Sequence, residues 1–264
     1  MRVAVLVKHV PDTETRIQVK PGEKKINEEG VTYVISPFDE FAMEEALLLR
    51  ERLGDVQITA VTLGPQRATE ALRTCLALGA DEAILVSDPA FDGADPYVTA
   101  RALAAALKGG KYDLILAGKQ AVDDDAAFVG TAVAEFLDLP VVNLVTKLEV
   151  NKAAGTAVAT RDLDGYSQVI EVKLPAVFTA QKGLNNPRLP ALMGIMKAKK
   201  KEIKVLNAQA LGLAPDEIGA AGAKVEVREM FVPSRARRNK VLTGAPAETA
   251  PELVRLLAEE AKVL

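Results

Sequence analysis

Three consecutive aspartates, Asp123, Asp124 and Asp125, stand in the stretch YDLILAGKQAVDDDAAFVGTAVAEFL, between an apolar run and an amphipathic one. Carboxylates placed this way can cap a helix, or accept hydrogen bonds from ribose hydroxyls and backbone N–H groups. They argue against a simple phosphate cradle, because carboxylates repel phosphate. A magnesium site fits poorly as well, since neighbouring side chains point in different directions. Gly118, ahead of them, lets backbone approach a ligand closely. The free N–H groups that open the following helix can hold an anion. The plain alternative is an acidic, capped helix in an ordinary loop.

Other chemistry-bearing residues are scarce. The chain holds one histidine, His9, and one cysteine, Cys75. No Ser-His-Asp set can be built with confidence, and a histidine-based metal site or a four-cysteine cluster is not expected. His9 follows the first strand pattern and reads better as a structural histidine. Cys75 sits among Leu72, Leu76 and Leu78 and reads as a small buried hydrophobe. No GxGxxG and no GxxxxGK[ST] occurs. A second notable stretch, NNPRLPALMGIMKAKKKEI, places Leu192, Met193, Ile195 and Met196 just before Lys197, Lys199, Lys200 and Lys201. It is either a loop feeding a solvated basic helix or a docking site with an apolar anchor and steering lysines. Nucleic acid is a poor third choice, because no aromatic platform accompanies the lysines.

The elements that must position these residues alternate. Val3–Val7, Gln57–Leu63, Glu82–Val86 and Leu114–Ala117 read as buried strands. Helical patterns cover Phe38–Leu53, Ala68–Leu78, Pro96–Leu107 and about Ala126–Leu137. This order predicts right-handed βαβ units, a mainly parallel Rossmann-like sheet and helices on both faces. The polar stretch Pro11–Gly30 reads as a hairpin-like excursion. After Pro140, Leu144–Val150, Gly155–Leu163 and Gly165–Leu174 alternate as an antiparallel insertion, and Ala176–Ala180 returns to the buried style. Leu184–Lys201 is irregular, Lys204–Val205 begins a polar connector, and Val225–Phe231 is a possible last strand. Pro233–Pro246 reads as an extended arm, and Thr249–Val263 as an amphipathic helix with Thr249 as N-cap. The expected domains are therefore 1–232 and the arm with its helix, 233–264. In such a sheet, Leu6, Ser36-Pro37-Phe38-Asp39, Leu63-Gly64-Pro65 and Gly118–Thr131 converge on one crevice, suited to a nucleotide.

Composition agrees with a globular chain. Of 264 residues, 49% are hydrophobic and 26% charged, and the net charge of −3 gives no global reason to expect nucleic-acid binding. No apolar run approaches the roughly 20 residues that cross a bilayer, so no membrane insertion is expected. The N-terminal run is too short for a signal-peptide core, and a reduced, cytoplasmic setting is expected.

Four motifs together resemble the β subunit of electron-transfer flavoproteins: RVAVLVKHVPDTET, ISPFDEFAMEEAL, AGKQAVDDDAAFVG and NPRLPALMGIMKAKKKEI. The resemblance implies a heterodimer with an α subunit that holds most of the FAD. It implies electrons accepted from dehydrogenases, typically acyl-CoA dehydrogenases of fatty acid oxidation, and passed to a quinone oxidoreductase and the respiratory chain. It also implies a structural AMP in this subunit, in contact with Leu6, Ser36, Pro37, Phe38, Asp39, Leu63, Gly118, Lys119, Gln120, Ala121, Val122, Asp123, Asp124, Asp125, Ala126, Ala127, Phe128 and Val129, with Gly130 and Thr131 closing the loop. Leu192 matches the family's dehydrogenase anchor. Met193, Ile195, Met196, Lys197 and Lys200 lie in the same recognition loop.

One departure matters. AMP-binding members carry polar residues like CNQTG after the aspartates, where this chain has Ala126-Ala127-Phe128-Val129-Gly130. Backbone N–H groups or Thr131 must then serve the phosphate. The VG ending and the MGIM segment look more like electron-bifurcating relatives, which place a second FAD here and use NADH. Those relatives usually have glycine where Asp124 stands, and AMP is the expectation. No catalytic residue of the chain's own is expected. The alternative from another class is a stand-alone nucleotide sensor, against which the basic loop and the arm both speak.

Overall fold

A computed structural model describes residues 1–233 and 239–264, and the middle of the expected arm, 234–238, lies outside the described residues. The described chain divides into two compact units, Met1–Met230 and Phe231–Leu264. The first is built on β1 (Arg2–Leu6), β2 (His9–Pro11), β3 (Tyr33–Ile35), α1 (Pro37–Leu53), β4 (Gln57–Leu63), α2 (Thr69–Leu78), β5 (Glu82–Val86), α3 (Pro96–Leu107), β6 (Leu114–Gly118) and α4 (Val129–Phe136). It continues through β7 (Val141–Asn151), β8 (Thr156–Leu163), β9 (Tyr166–Lys173), β10 (Ala176–Ala180), α5 (Leu192–Ala198), β11 (Lys204–Leu206) and the one-turn α6 (Gly219–Gly222). The second unit carries α7 (Pro246–Glu259).

The main sheet runs β11-β5-β4-β1-β6-β10-β7-β8-β9. Every pair from β11 to β7 is parallel, and β7, β8 and β9 pair antiparallel. This is the α/β, Rossmann-like architecture with an antiparallel part. Short apolar strands suit a sheet covered on both faces. Strand β1 shows the two faces directly. Val3 and Val5 pack with Ala42, Met43 and Leu47 of α1 and Leu72 and Cys75 of α2. Ala4 and Leu6 pack with Leu103 and Leu107 of α3 and Val133 of α4. Alternate residues of a strand point to opposite faces, so one strand serves two cores.

The strand order reverses at β1. Chain order proceeds outward through β4 and β5 on one side and begins again at β6 on the other. A crevice opens at such a switch point, outside the carboxyl ends of the strands. Leu6 ends β1 and Gly118 ends β6, side by side across it.

Several expected elements differ. Helix α4 starts at Val129 rather than about Ala126, because Asp125 and Ala127 both have positive φ, 50° and 49°, which a right-handed helix excludes. Helix α7 starts at Pro246. Ala245 takes the N-cap position, and Thr249 lies inside, with its hydroxyl donating to the Ala245 carbonyl at 3.2 Å. Proline supplies a first-turn φ at no cost in hydrogen bonds, and here Pro246 takes that role instead of Pro251. Val225–Phe231 forms no strand. Its first backbone N–H is used by Asp95 at 3.0 Å. Conversely, Lys204–Leu206 of the expected connector is the sheet's edge strand against β5, and Leu192–Ala198 is a helix. The Pro11–Gly30 excursion closes through an antiparallel bridge between Val19 and Ile26.

Candidate functional site

A cleft of about 220 Å³ opens at the switch point. Its walls include Leu6, Asp39, Leu63, Gly118, Lys119, Gln120, Ala121, Asp124, Ala126, Ala127, Phe128, Val129 and Gly130 of the residues singled out in the sequence. Strand ends bring Leu6, Leu63 and Gly118 together, and α1 adds Asp39. Sequence reasoning missed Val7, Lys8, Ala94, Asp95, Pro96, Thr99, Leu103 and Ala117, which also line it. Asp95 and Pro96 could have been found. An Asp N-cap followed by proline marks a helix start, and the Asp95 carboxylate accepts from the Val98 N–H at 2.9 Å.

Ser36, Pro37, Phe38, Val122, Asp123, Asp125 and Thr131 are not among the lining residues. Ser36 is the N-cap residue of α1 and Pro37 its first residue. Phe38 carries the Lys119 ammonium 4.9 Å from its ring centroid. Thr131 donates its hydroxyl to Asn143 Oδ1 at 3.1 Å.

The aspartates do not cap α4. Phe128 holds the N-cap position, with no side-chain hydrogen bond to the helix. The loop's charge is met by other partners. Lys8 reaches Asp123 at 2.8 Å and Asp124 at 2.9 Å. Gln120 donates to Asp125 at 2.6 Å, and the Ala126 N–H donates to Asp124 at 3.1 Å. Burial lowers the Lys8 pKa, but its pairing with Asp123 and Asp124 outweighs this, and the net direction is upward. Lys8 stands just past the last apolar residues of β1, and nothing in local sequence announces its partners.

Asp39 stands on the cleft wall and is buried. One carboxylate oxygen accepts from the Lys8 N–H at 2.7 Å, the other from the Gly118 N–H at 2.8 Å. Burial pushes its carboxyl up to about 7 against the lowering effect of those two bonds. Asp95 goes the other way. Burial would raise it, but N–H groups of Val98, Lys224 and Val225 hold its carboxyl below the usual carboxylate range. Gly118 also has a structural use. A Cβ there would lie 2.5 Å from Asp39 Oδ1 and 2.7 Å from Phe38, so the first turn of α1 requires the glycine.

His9 lies on β2, packed 5.2 Å from the Tyr33 ring, and is not a lining residue. Burial lowers its pKa. The Cys75 thiol is fully buried and pushed by burial up to about 12, which leaves it inert as a nucleophile.

A model of the electron transfer flavoprotein domain matches residues 24–211. The chain is 43% identical over 266 residues to electron transfer flavoprotein subunit beta of Bacillus subtilis (strain 168), covering 100% of both chains. It is 41% identical to the subunit of the same description from Thermoanaerobacterium thermosaccharolyticum, over 97% of this chain and 98% of that one. It is 38% identical to caffeyl-CoA reductase-Etf complex subunit CarD of Acetobacterium woodii, over 98% and 99%.

The chain belongs to the electron transfer flavoprotein β subunits. An electron-transfer role, an α-subunit partner and further electron-transfer partners follow from that membership. Among the described residues, no helix is long and apolar enough to cross a membrane.

The leucine, methionine and lysine segment of this flavoprotein subunit contains α5. Leu192 is 74% exposed, Met193 64% and Met196 56%, on one short helix beside Lys197 and Lys200. Ile195 is only 39% exposed and turns partly inward. Gly194 lets α5 approach α2, where a Cβ would run into the Ala77 carbonyl. Arg73 of α2 donates to the Ala198 carbonyl at 2.6 Å and also to that of Lys201, closing the helix's carboxyl end. Lys201 itself donates to the Ala80 carbonyl at 2.7 Å, so it is tied to the scaffold while its neighbours point outward.

Proposed function

We propose that this β subunit docks primary dehydrogenases, such as acyl-CoA dehydrogenases, through α5, and that the heterodimer passes their electrons on to a quinone oxidoreductase and the respiratory chain. One observation carries the docking role. Three large apolar side chains of α5 stand exposed on a helix that the scaffold holds at its carboxyl end, with exposed lysines beside them. Exposed apolar side chains on a rigid element make an anchor, and rim charges steer the encounter. The FAD of the heterodimer, held mainly by the α subunit, supplies the electron chemistry, and this subunit supplies binding and placement. It acts in the cytoplasm, and its C-terminal arm and α7 dock on the α subunit.

The cleft takes AMP as a structural ligand. Leu6, Leu63 and Leu103 suit the adenine face. The first N–H groups of α4 lack a side-chain cap and suit the phosphate. Pairing of Asp123 and Asp124 with Lys8 relieves the repulsion that three free carboxylates would impose. A second reading, FAD in the cleft of an electron-bifurcating subunit that uses NADH, is favoured by Phe128, a 43% exposed aromatic ring at the cleft wall where a flavin can stack. Denaturing release from the purified heterodimer, with mass analysis, separates the two. One AMP per FAD supports the first reading, and two FAD support the second.

A further inference from the structure

Helix α1 buries three carboxylates, Asp39, Glu44 and Glu45. A buried carboxylate needs a partner, and where the partner lies shows what the carboxylate holds. Asp39 is held at the cleft. Glu44 finds its partner 144 positions away, in the segment that leads into α5; Glu45 is paired with Arg52 of α1 and also accepts from Asn185 of that segment, 140 positions away.

Glu44 grips Arg188 at two levels. The guanidinium donates to it at 2.9 Å from Nε and 2.7 Å from Nη2, and the Arg188 backbone N–H donates to Oε2 at 3.2 Å. Glu51, two turns further along α1, takes Nη1 at 2.6 Å. Beside this clamp, the Asn185 amide donates to Glu45 at 3.1 Å and to the Phe41 carbonyl at 3.0 Å. Pro187 and Pro190 flank Arg188-Leu189, and proline locks φ near −65°. The backbone from Arg188 to Leu192 is therefore stiff, and an orientation imposed at Arg188 reaches the anchor. Within its first turn α5 packs through Gly194 against Ala77, and at its carboxyl end it is fixed by Arg73. The apolar face between these moorings is left exposed.

We propose that Glu44 is a positioning residue for dehydrogenase docking: through Arg188 it presets the Leu189–Leu192 backbone, so that the anchor meets its partner already ordered. The inference rests on the docking role given to α5 above. Ordering the segment beforehand removes an entropic cost from each encounter. A bidentate Arg–carboxylate clamp is the pairing that best fixes orientation as well as distance.

The test uses the intact heterodimer and steady-state electron transfer from a purified acyl-CoA dehydrogenase, with the dehydrogenase concentration varied. Glu44→Gln and Arg188→Gln should each raise KM for the dehydrogenase roughly three- to tenfold at unchanged kcat. Arg188→Lys should recover part of the loss, since it keeps the charge but not the fork. Amide exchange across Leu189–Lys197 should quicken in the same variants. With Leu192→Ala in place, Glu44→Gln should add less than about twofold, because the element it presets has lost its anchor. Should Glu44→Gln fold poorly, Arg188→Gln carries the test, since that side chain is 38% exposed. Variants that lower the unfolding midpoint but keep the wild-type KM would reduce the pair to a structural ion pair and overturn the proposal. If Leu192→Ala raises KM and neither clamp variant does, only the positioning role falls. If Leu192→Ala itself leaves KM unchanged, the docking role falls, and the positioning role with it.

Discussion

The Gly118 N–H donates to Asp39 at 2.8 Å and so ties the end of β6 to the first turn of α1, on the wall of the cleft. The contact forms because Gly118 has no Cβ. One placed there would lie 2.5 Å from the Asp39 oxygen and 2.7 Å from the Phe38 backbone. Gly118→Ala should therefore destabilise the subunit by about 1–3 kcal/mol, the usual cost of overpacking. Nucleotide should be retained less well, because the wall moves. Urea unfolding together with nucleotide content per heterodimer checks both halves.

Asp39 should give the fold a pH dependence. Its carboxyl, near 4 in the unfolded chain, is pushed up to about 7 in the fold, where burial penalises the charge. The folded state then binds the extra proton, and stability due to this group is full below about pH 4 and lost as pH rises towards 7. The slope approaches about 1.4 kcal/mol per pH unit. In Asp39→Asn this component should vanish, although the amide places a donor against a backbone N–H and lowers stability at every pH. Subtracting unfolding free energies of the two proteins between pH 4 and 8 isolates it. A flat difference would show that the carboxyl does not titrate in that window.

Lys8 should matter to the ligand more than to the fold. It bridges Asp123 and Asp124 from a partly exposed position, where each pair contributes at most about 1 kcal/mol. Lys8→Gln should leave the unfolding midpoint almost unchanged and speed nucleotide release, since the unpaired carboxylates then repel a phosphate. The effect should weaken as salt rises. Dissociation rates measured at two ionic strengths decide this.

Leu192→Ala should slow transfer from an acyl-CoA dehydrogenase at limiting concentration, with a loss of about 2 kcal/mol or more if Leu192 is the anchor. Flavin spectrum and heterodimer assembly should stay intact. Neutralising Lys197 or Lys200 should instead change the association rate and its salt dependence. Equal rates for Leu192→Ala and wild type would reduce Leu192 to a surface leucine.

Truncation after Val232 should weaken heterodimer assembly. Helix α7 leaves Leu253 exposed and Leu257 partly exposed, and burying one or two leucines on a partner contributes about 1.5–3 kcal/mol each. Affinity measured between purified subunits checks it. An unchanged value would mean that the arm and helix serve another purpose.

The amino-acid order by itself determined the alternation of strands and helices, the parallel sheet and the convergence of Leu6, Leu63 and Gly118, because apolar periodicity and glycine and proline punctuation act over a few residues. It also marked the acidic loop and the leucine, methionine and lysine segment as the places where chemistry collects. Local pattern misled where a distant contact outweighed it. Lys204–Leu206 is three residues long at the head of a polar connector, yet it pairs with β5 and becomes a strand. Val225 has strand character, yet its N–H is taken by Asp95. Only the tertiary structure decided what the charges do. Lys8 meets Asp123 from 115 positions away, and Arg188 meets Glu44 from 144. An acidic residue on a helix reads as a solvated face until folding buries it, and its partner is then chosen by proximity in space. Burial also raises the Asp39 carboxyl, and the approach of α1 gives Gly118 its purpose. Ion pairing and burial depend on distance through the folded molecule, which neighbouring residues in the chain do not encode.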